Sequence, residues 1–124
     1  MPDITLSITG QAIKGSLVQS FAANGVTADM TSTGMMAVTL NLGTATTQIS
    51  TTNMSTLGYA FARSLVTSTA VTATVSFGRL VGTNLYESCT LRPGEAAAMR
   101  LSAGDYAAKA AGASLPLLIE ILEG

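Results

Sequence analysis

Apolar residues alternate with hydroxyl residues along much of this chain, and that period of two constrains its fold more than any other feature. Ile4, Leu6 and Ile8 alternate with Thr5, Ser7 and Thr9. Met36, Val38, Leu40 and Leu42 alternate with Ala37, Thr39 and Asn41, and Val71, Ala73, Val75 and Phe77 with Thr72, Thr74 and Ser76. Successive side chains of a strand point to opposite faces, so each run has one apolar face for a core and one hydroxyl-rich face for water or a partner. Thr suits the second face because its β-branch sits well on a pleated surface.

Other runs complete the pattern. Leu17 to Phe21 reads as a short strand after Gly15. Leu57, Tyr59 and Phe61 share one face, opposite Gly58, Ala60 and Ala62, whose small size allows a second layer to approach closely. Leu115, Leu117, Ile119 and Ile121 form the last strand, and Leu118 and Leu122 make its second face partly apolar, as in a central or covered strand. Turn signals separate the runs: Ala23-Asn24-Gly25, Thr33-Gly34, Leu42-Gly43, Phe77-Gly78, Val81-Gly82, Arg92-Pro93-Gly94, Ala103-Gly104-Asp105 and Ala111-Gly112. The pattern predicts about seven to ten short strands in a single domain over residues 1–124, folded as an all-β antiparallel sandwich of jelly-roll type. A chain of 124 residues can bury about two thirds of its unfolded surface, so no disulfide or metal staple is required.

Charge is scarce. Charged residues make up 10% of the chain, against about 25% in an average soluble domain. Hydroxyls supply the surface polarity instead, and a neutral hydroxyl surface is easily desolvated when another protein covers it. Lys14 and Lys109 are the only lysines available to guard strand edges, so the edges call for cover from another chain. The expectation is a homo-oligomer of closed symmetry, a trimer or a dimer. Net charge is −1 and the Lys and Arg residues are scattered singly, which argues against a nucleic-acid partner. Met1 to Ile4 lack the basic and apolar regions of a signal peptide, and the longest apolar run, Leu115 to Ile119, is too short for a membrane span. A soluble protein made inside the cell, with no membrane partner, is expected.

The inventory for chemistry is nearly empty. There is no histidine, which removes the usual general base near neutral pH and the usual metal ligand. Asp3, Asp29, Glu87, Glu95, Asp105, Glu120 and Glu123 are spread singly and suggest neither a carboxylate pair nor a calcium loop. Gly10 to Lys14 and Gly78 to Gly82 lack the Gly-Lys-Ser/Thr ending of a phosphate loop. Cys89, the single cysteine, reads as a small buried hydrophobe. Tyr86 and Tyr106 fit either a sugar-binding platform or core rings with their hydroxyls at the edge, the latter preferred. Met30, Met35 and Met36 fit adaptable core filler or a contact surface, the former preferred. The expectation is a protein that is not an enzyme, with no catalytic, metal-binding or cofactor-binding residues and no cofactor.

One resemblance adds to this reading. The chain runs Leu57-Gly58-Tyr59-Ala60-Phe61-Ala62-Arg63-Ser64-Leu65, then a strand ending Val75-Ser76-Phe77-Gly78. Leu91-Arg92-Pro93-Gly94-Glu95, Met99-Arg100-Leu101, a short Gly104 to Ala108 segment and a hydrophobic terminal strand follow. In order and spacing, Leu57 to Ile121 resembles a recurrent type of small bacteriophage virion protein. The resemblance implies a β-sandwich component of the particle, often a head decoration or cement protein. Its partners would be the major capsid protein or other virion proteins and further copies of itself, a trimer in preference to a dimer, and its location the virion. A tail, baseplate or fibre-associated protein is the alternative within that class, and a glycan-binding β-sandwich module the alternative outside it. The chain departs from the commoner members in its low charge and its Ala-rich stretch after Glu95. On propensity alone, Glu95 to Arg100 and Tyr106 to Ala111 favour helix. Gly104 and the period-two fit of Ala97, Met99 and Leu101 favour strand, and the resemblance decides for strand.

Overall fold

The computed structural model describes residues 2–66, 72–112 and 114–124. Its ten strands are β1 (Ile4–Lys14), β2 (Leu17–Ala28), β3 (Met35–Leu42), β4 (Thr47–Ile49), β5 (Tyr59–Ser64), β6 (Thr74–Val81), β7 (Asn84–Leu91), β8 (Ala96–Arg100), β9 (Tyr106–Ala111) and β10 (Leu115–Leu122). No helix occurs among the described residues. The chain divides into two compact units, Met1–Thr31 and Ser32–Gly124. The sandwich expected over the whole chain is built by Ser32–Gly124, and Met1–Thr31 is a unit of its own.

Two four-stranded antiparallel sheets make the sandwich, ordered β3-β10-β5-β8 and β4-β9-β6-β7. Among these eight strands only β6 and β7 are joined as a hairpin within one sheet. Every other connection passes from one sheet to the other, which is jelly-roll connectivity. β10 lies between β3 and β5, with Ile119 opposite both Val38 and Ala62. Its alternate residues Leu115, Leu117, Ile119 and Ile121 are buried. The other sheet contributes Val75, Phe77, Tyr106, Ala108 and Ala110 to the same core. Phe77 is fully buried, and its ring stacks on Tyr106 with centroids 5.7 Å apart. Alanines at 60, 62, 108 and 110 face the core and let these rings fit between closely spaced sheets.

The expected alternation holds in β3, where Met36, Val38, Leu40 and Leu42 face inward and Ala37, Thr39 and Asn41 are exposed. Val71, expected in the strand that contains Phe77, lies outside the described residues. The Ala-rich stretch forms β8 and β9, so pairing with β5 and with β4 and β6 outweighs its helix propensity. Two of the expected turns are instead β-bulges. Asn24-Gly25 sits inside β2, where two residues oppose Ser7, Gly25 takes φ 66° and the Ser7 hydroxyl accepts the Gly25 N–H at 3.2 Å. Gly78 sits inside β6, where the register slips because β7 carries one extra residue. A Cβ there would collide with the Tyr86 carbonyl, so only glycine fits.

The first unit is a single antiparallel ribbon in which β1 pairs with β2 from Ile4↔Ala28 to Lys14↔Leu17. The second strand runs well past Phe21 because the Asn24-Gly25 bulge does not end it.

Phe77→Ala should lower unfolding free energy by about 3–5 kcal/mol. Thr72→Ala, at an exposed position, should stay within about 0.5 kcal/mol. Urea unfolding of both variants measures this.

Candidate interaction surface

Several polar groups of the sandwich are engaged in structure. Glu123, just past β10, is 4% exposed. Its carboxylate accepts the Ser55 N–H at 2.6 Å and the Ser55 hydroxyl at 3.2 Å. Its own N–H donates to the Gly34 carbonyl at 3.0 Å, and a Cβ on Gly34 would meet the carboxylate. Glu123 therefore fastens the loop before β5 and the entry to β3 onto the end of β10. Charge-assisted bonds of this kind contribute about 1.5–3 kcal/mol, so Glu123→Ala should lower stability by that amount and Glu123→Gln by less, measured by thermal unfolding.

The remaining acids do not converge. Glu87 pairs with Lys109 at 3.6 Å on the surface. Glu95 accepts the Arg92 N–H at 2.7 Å across the Pro93-Gly94 turn. Asp3 accepts the Met30 N–H at 3.0 Å within the ribbon unit. No group of three potential metal ligands occurs among the described residues. A cleft of about 370 Å³ between the 51–57 loop and Ala103-Gly104 has no ionisable side chain in its lining, so it offers shape without chemistry.

The three tyrosines occupy three different settings. Tyr106 is in the core, and its hydroxyl donates to the Ser102 carbonyl at 2.7 Å, as the sequence favoured. Tyr59 lies under the Arg100 guanidinium, 4.6 Å from the ring centre. Tyr86 departs from the core expectation and is 60% exposed on β7, an edge strand. The methionines separate as well. Met36 packs against the core, Met35 faces outward and Met30 belongs to the ribbon unit. Cys89 is half-buried against the core, and burial pushes its thiol pKa up from the ordinary range. At neutral pH the thiol should react with a disulfide reagent at least about tenfold more slowly than in the urea-unfolded chain, followed by absorbance.

Most of the exposed large apolar side chains fall in two places. The outer face of the β3-β10-β5-β8 sheet carries rows fixed by register. Met35 lies beside Leu122; Ala37, Glu120, Phe61 and Ala98 form the next row; Thr39, Leu118, Arg63 and Ala96 the row after. Met35, Phe61 and Leu65 are exposed large hydrophobics, and Leu118 and Leu122 are half-buried. This explains the second apolar side of β10 read from the sequence: Leu118 and Leu122 cover no core of their own sandwich. The ribbon has the other concentration, with Ile8, Ile13, Leu17, Val18, Phe21 and Val26 all exposed. Sequence alternation marked Ile4, Leu6 and Ile8 as one apolar face, and it carried no sign that the face belongs to a two-stranded ribbon.

Comparison with known proteins gives no match to a family model, a curated protein or a solved structure.

Proposed function

We propose that this protein is a non-enzymatic structural component of a bacteriophage particle, a decoration or cement protein that sits on the head as a homo-oligomer against the major capsid protein. The observation that carries the reading is where the apolar surface lies. Apart from the core, it is spread over a sheet face and a long ribbon rather than gathered in a pocket with polar groups around it. Spread apolar surface is the form that binds other proteins. Jelly rolls occur in viral capsid domains, lectins and cupins, so the fold alone supports the reading only by analogy. The sequence resemblance of Leu57 to Ile121 to small virion proteins selects the first of these. A glycan-binding module draws little support, since its aromatic platform would need Tyr59, Tyr86 and Tyr106 on one surface, and Tyr106 is in the core.

A cement protein gains from many weak neutral contacts repeated over a lattice, and a chain with 10% charged residues is suited to that. Quantitative mass spectrometry of purified particles tests the reading. A copy number comparable to that of the major capsid protein is expected. A handful of copies would move the protein to the tail, and absence from the particle would overturn the proposal.

A further inference from the structure

We propose that the β1–β2 ribbon is an exchanged arm, whose apolar face and tip dock on the outer face of the β3-β10-β5-β8 sheet of a second copy of this chain. The inference rests on the assembly reading above and names the contact that would join the copies.

The ribbon has little stability by itself. A lone two-stranded ribbon in water is at best marginal, because one layer has nothing of its own on which to bury a face. Its register sorts most of the side chains. One face carries Ile4, Leu6, Ile8, Leu17, Phe21 and Val26, joined near the tip by Lys14 and Gln19, with Phe21 lying across Gly10, where a Cβ would meet its ring. The opposite face carries Thr5, Ser7, Thr9, Gln11, Ser20 and Thr27. Phe21 is 58% exposed and Leu17 57% exposed on the apolar face.

The tip breaks the rule. Ile13 and Val18 pair with each other on the otherwise polar face and are 65% and 63% exposed. On the opposite face of the tip Leu17 pairs with Lys14 and Ala12 with Gln19, so the last turn is apolar on one side and mixed on the other. The ribbon is also longer than the sheet strands: 11 residues in β1 span about 36 Å, and 8 residues in β10 about 26 Å. A ribbon laid along a sheet of this size overhangs it, and its tip reaches beyond.

Area selects the arrangement. The part of a ribbon that overlies a strand of about 26 Å has a footprint of about 250 Å², so one docked arm removes about 500 Å² from water over both partners. A specific interface buries about 1,000 Å² or more. One arm falls well short, whereas two reciprocal arms together come to about that area. Every chain carries both halves of the contact, the ribbon and the Met35–Leu122–Phe61–Leu118 face, so each copy in a closed oligomer can give one arm and accept one.

The test uses the full chain. Wild type should sediment above monomer mass at micromolar concentration. Phe21→Glu on the ribbon and Phe61→Glu on the sheet should each raise the dissociation constant at least about thirtyfold, the scale of an interface hot spot. Both should keep the β-sheet circular dichroism, and Ser20→Glu on the polar ribbon face should leave association unchanged. In a Cys89→Ala background, a mixture of Phe21→Cys and Phe61→Cys chains should form disulfide-linked pairs on mild oxidation. A wild-type monomer overturns the proposal, as does an oligomer untouched by Phe21→Glu. A double Phe21→Cys, Phe61→Cys chain that closes on itself at every concentration also overturns it, because the ribbon then covers its own sheet. The two readings fail separately: a chain absent from particles that still exchanges its arm sinks the particle assignment alone. A monomer abundant in particles sinks the arm and the homo-oligomer and leaves the particle assignment standing.

Discussion

A sheet with one apolar face needs a second layer, and this requirement shapes the molecule. In Ser32–Gly124 it is met across the sandwich. The row Leu117, Ile119 and Ile121 of β10 shares a core with Phe77 and Tyr106 of the other sheet. The stacked Phe77 and Tyr106 rings supply the bulk, and alanines on β5 and β9 supply the room. Glu123 and Ser55 then hold one end together. In Met1–Thr31 the same period-two pattern produces a ribbon, and a ribbon has no second layer of its own.

Much of the fold was legible because strands announce themselves by alternation. β3 and β10 follow their hydrophobic rows nearly residue for residue. The Ala-rich stretch was harder. Its local preference is helical, and only Gly104 and the spacing of Ala97, Met99 and Leu101 pointed to the strands that pairing enforces. Glycine was ambiguous in a different way. Gly25 and Gly78 look like turn residues, yet both serve bulges, since a bulge asks for the same positive φ or missing Cβ that a turn does. Alternation also does not say how many layers a strand joins, so Ile4, Leu6 and Ile8 looked like core. The Glu123 clasp was invisible because its partner Ser55 lies 68 residues away.

The candidate surface was legible in kind and not in place. Scarce charge and unguarded edges indicated association, and the second apolar side of β10 hinted at cover. Register places that side on the outer face of a sheet, with Phe61 and Met35 beside it. Nothing in the sequence separates Phe61, which faces out, from Phe77, which faces the core, because each sits in a clean alternation. The physical consequence is a chain that completes one core internally and leaves apolar area for a second.

The central claim is that this remaining area is satisfied by other copies of the chain. Hydrogen–deuterium exchange across a range of protein concentrations tests it most directly. Amides of β1 and β2 should gain protection as concentration rises, while those of β10 stay protected throughout. Ribbon amides that exchange at the same rate at every concentration, whether fast or slow, would contradict it.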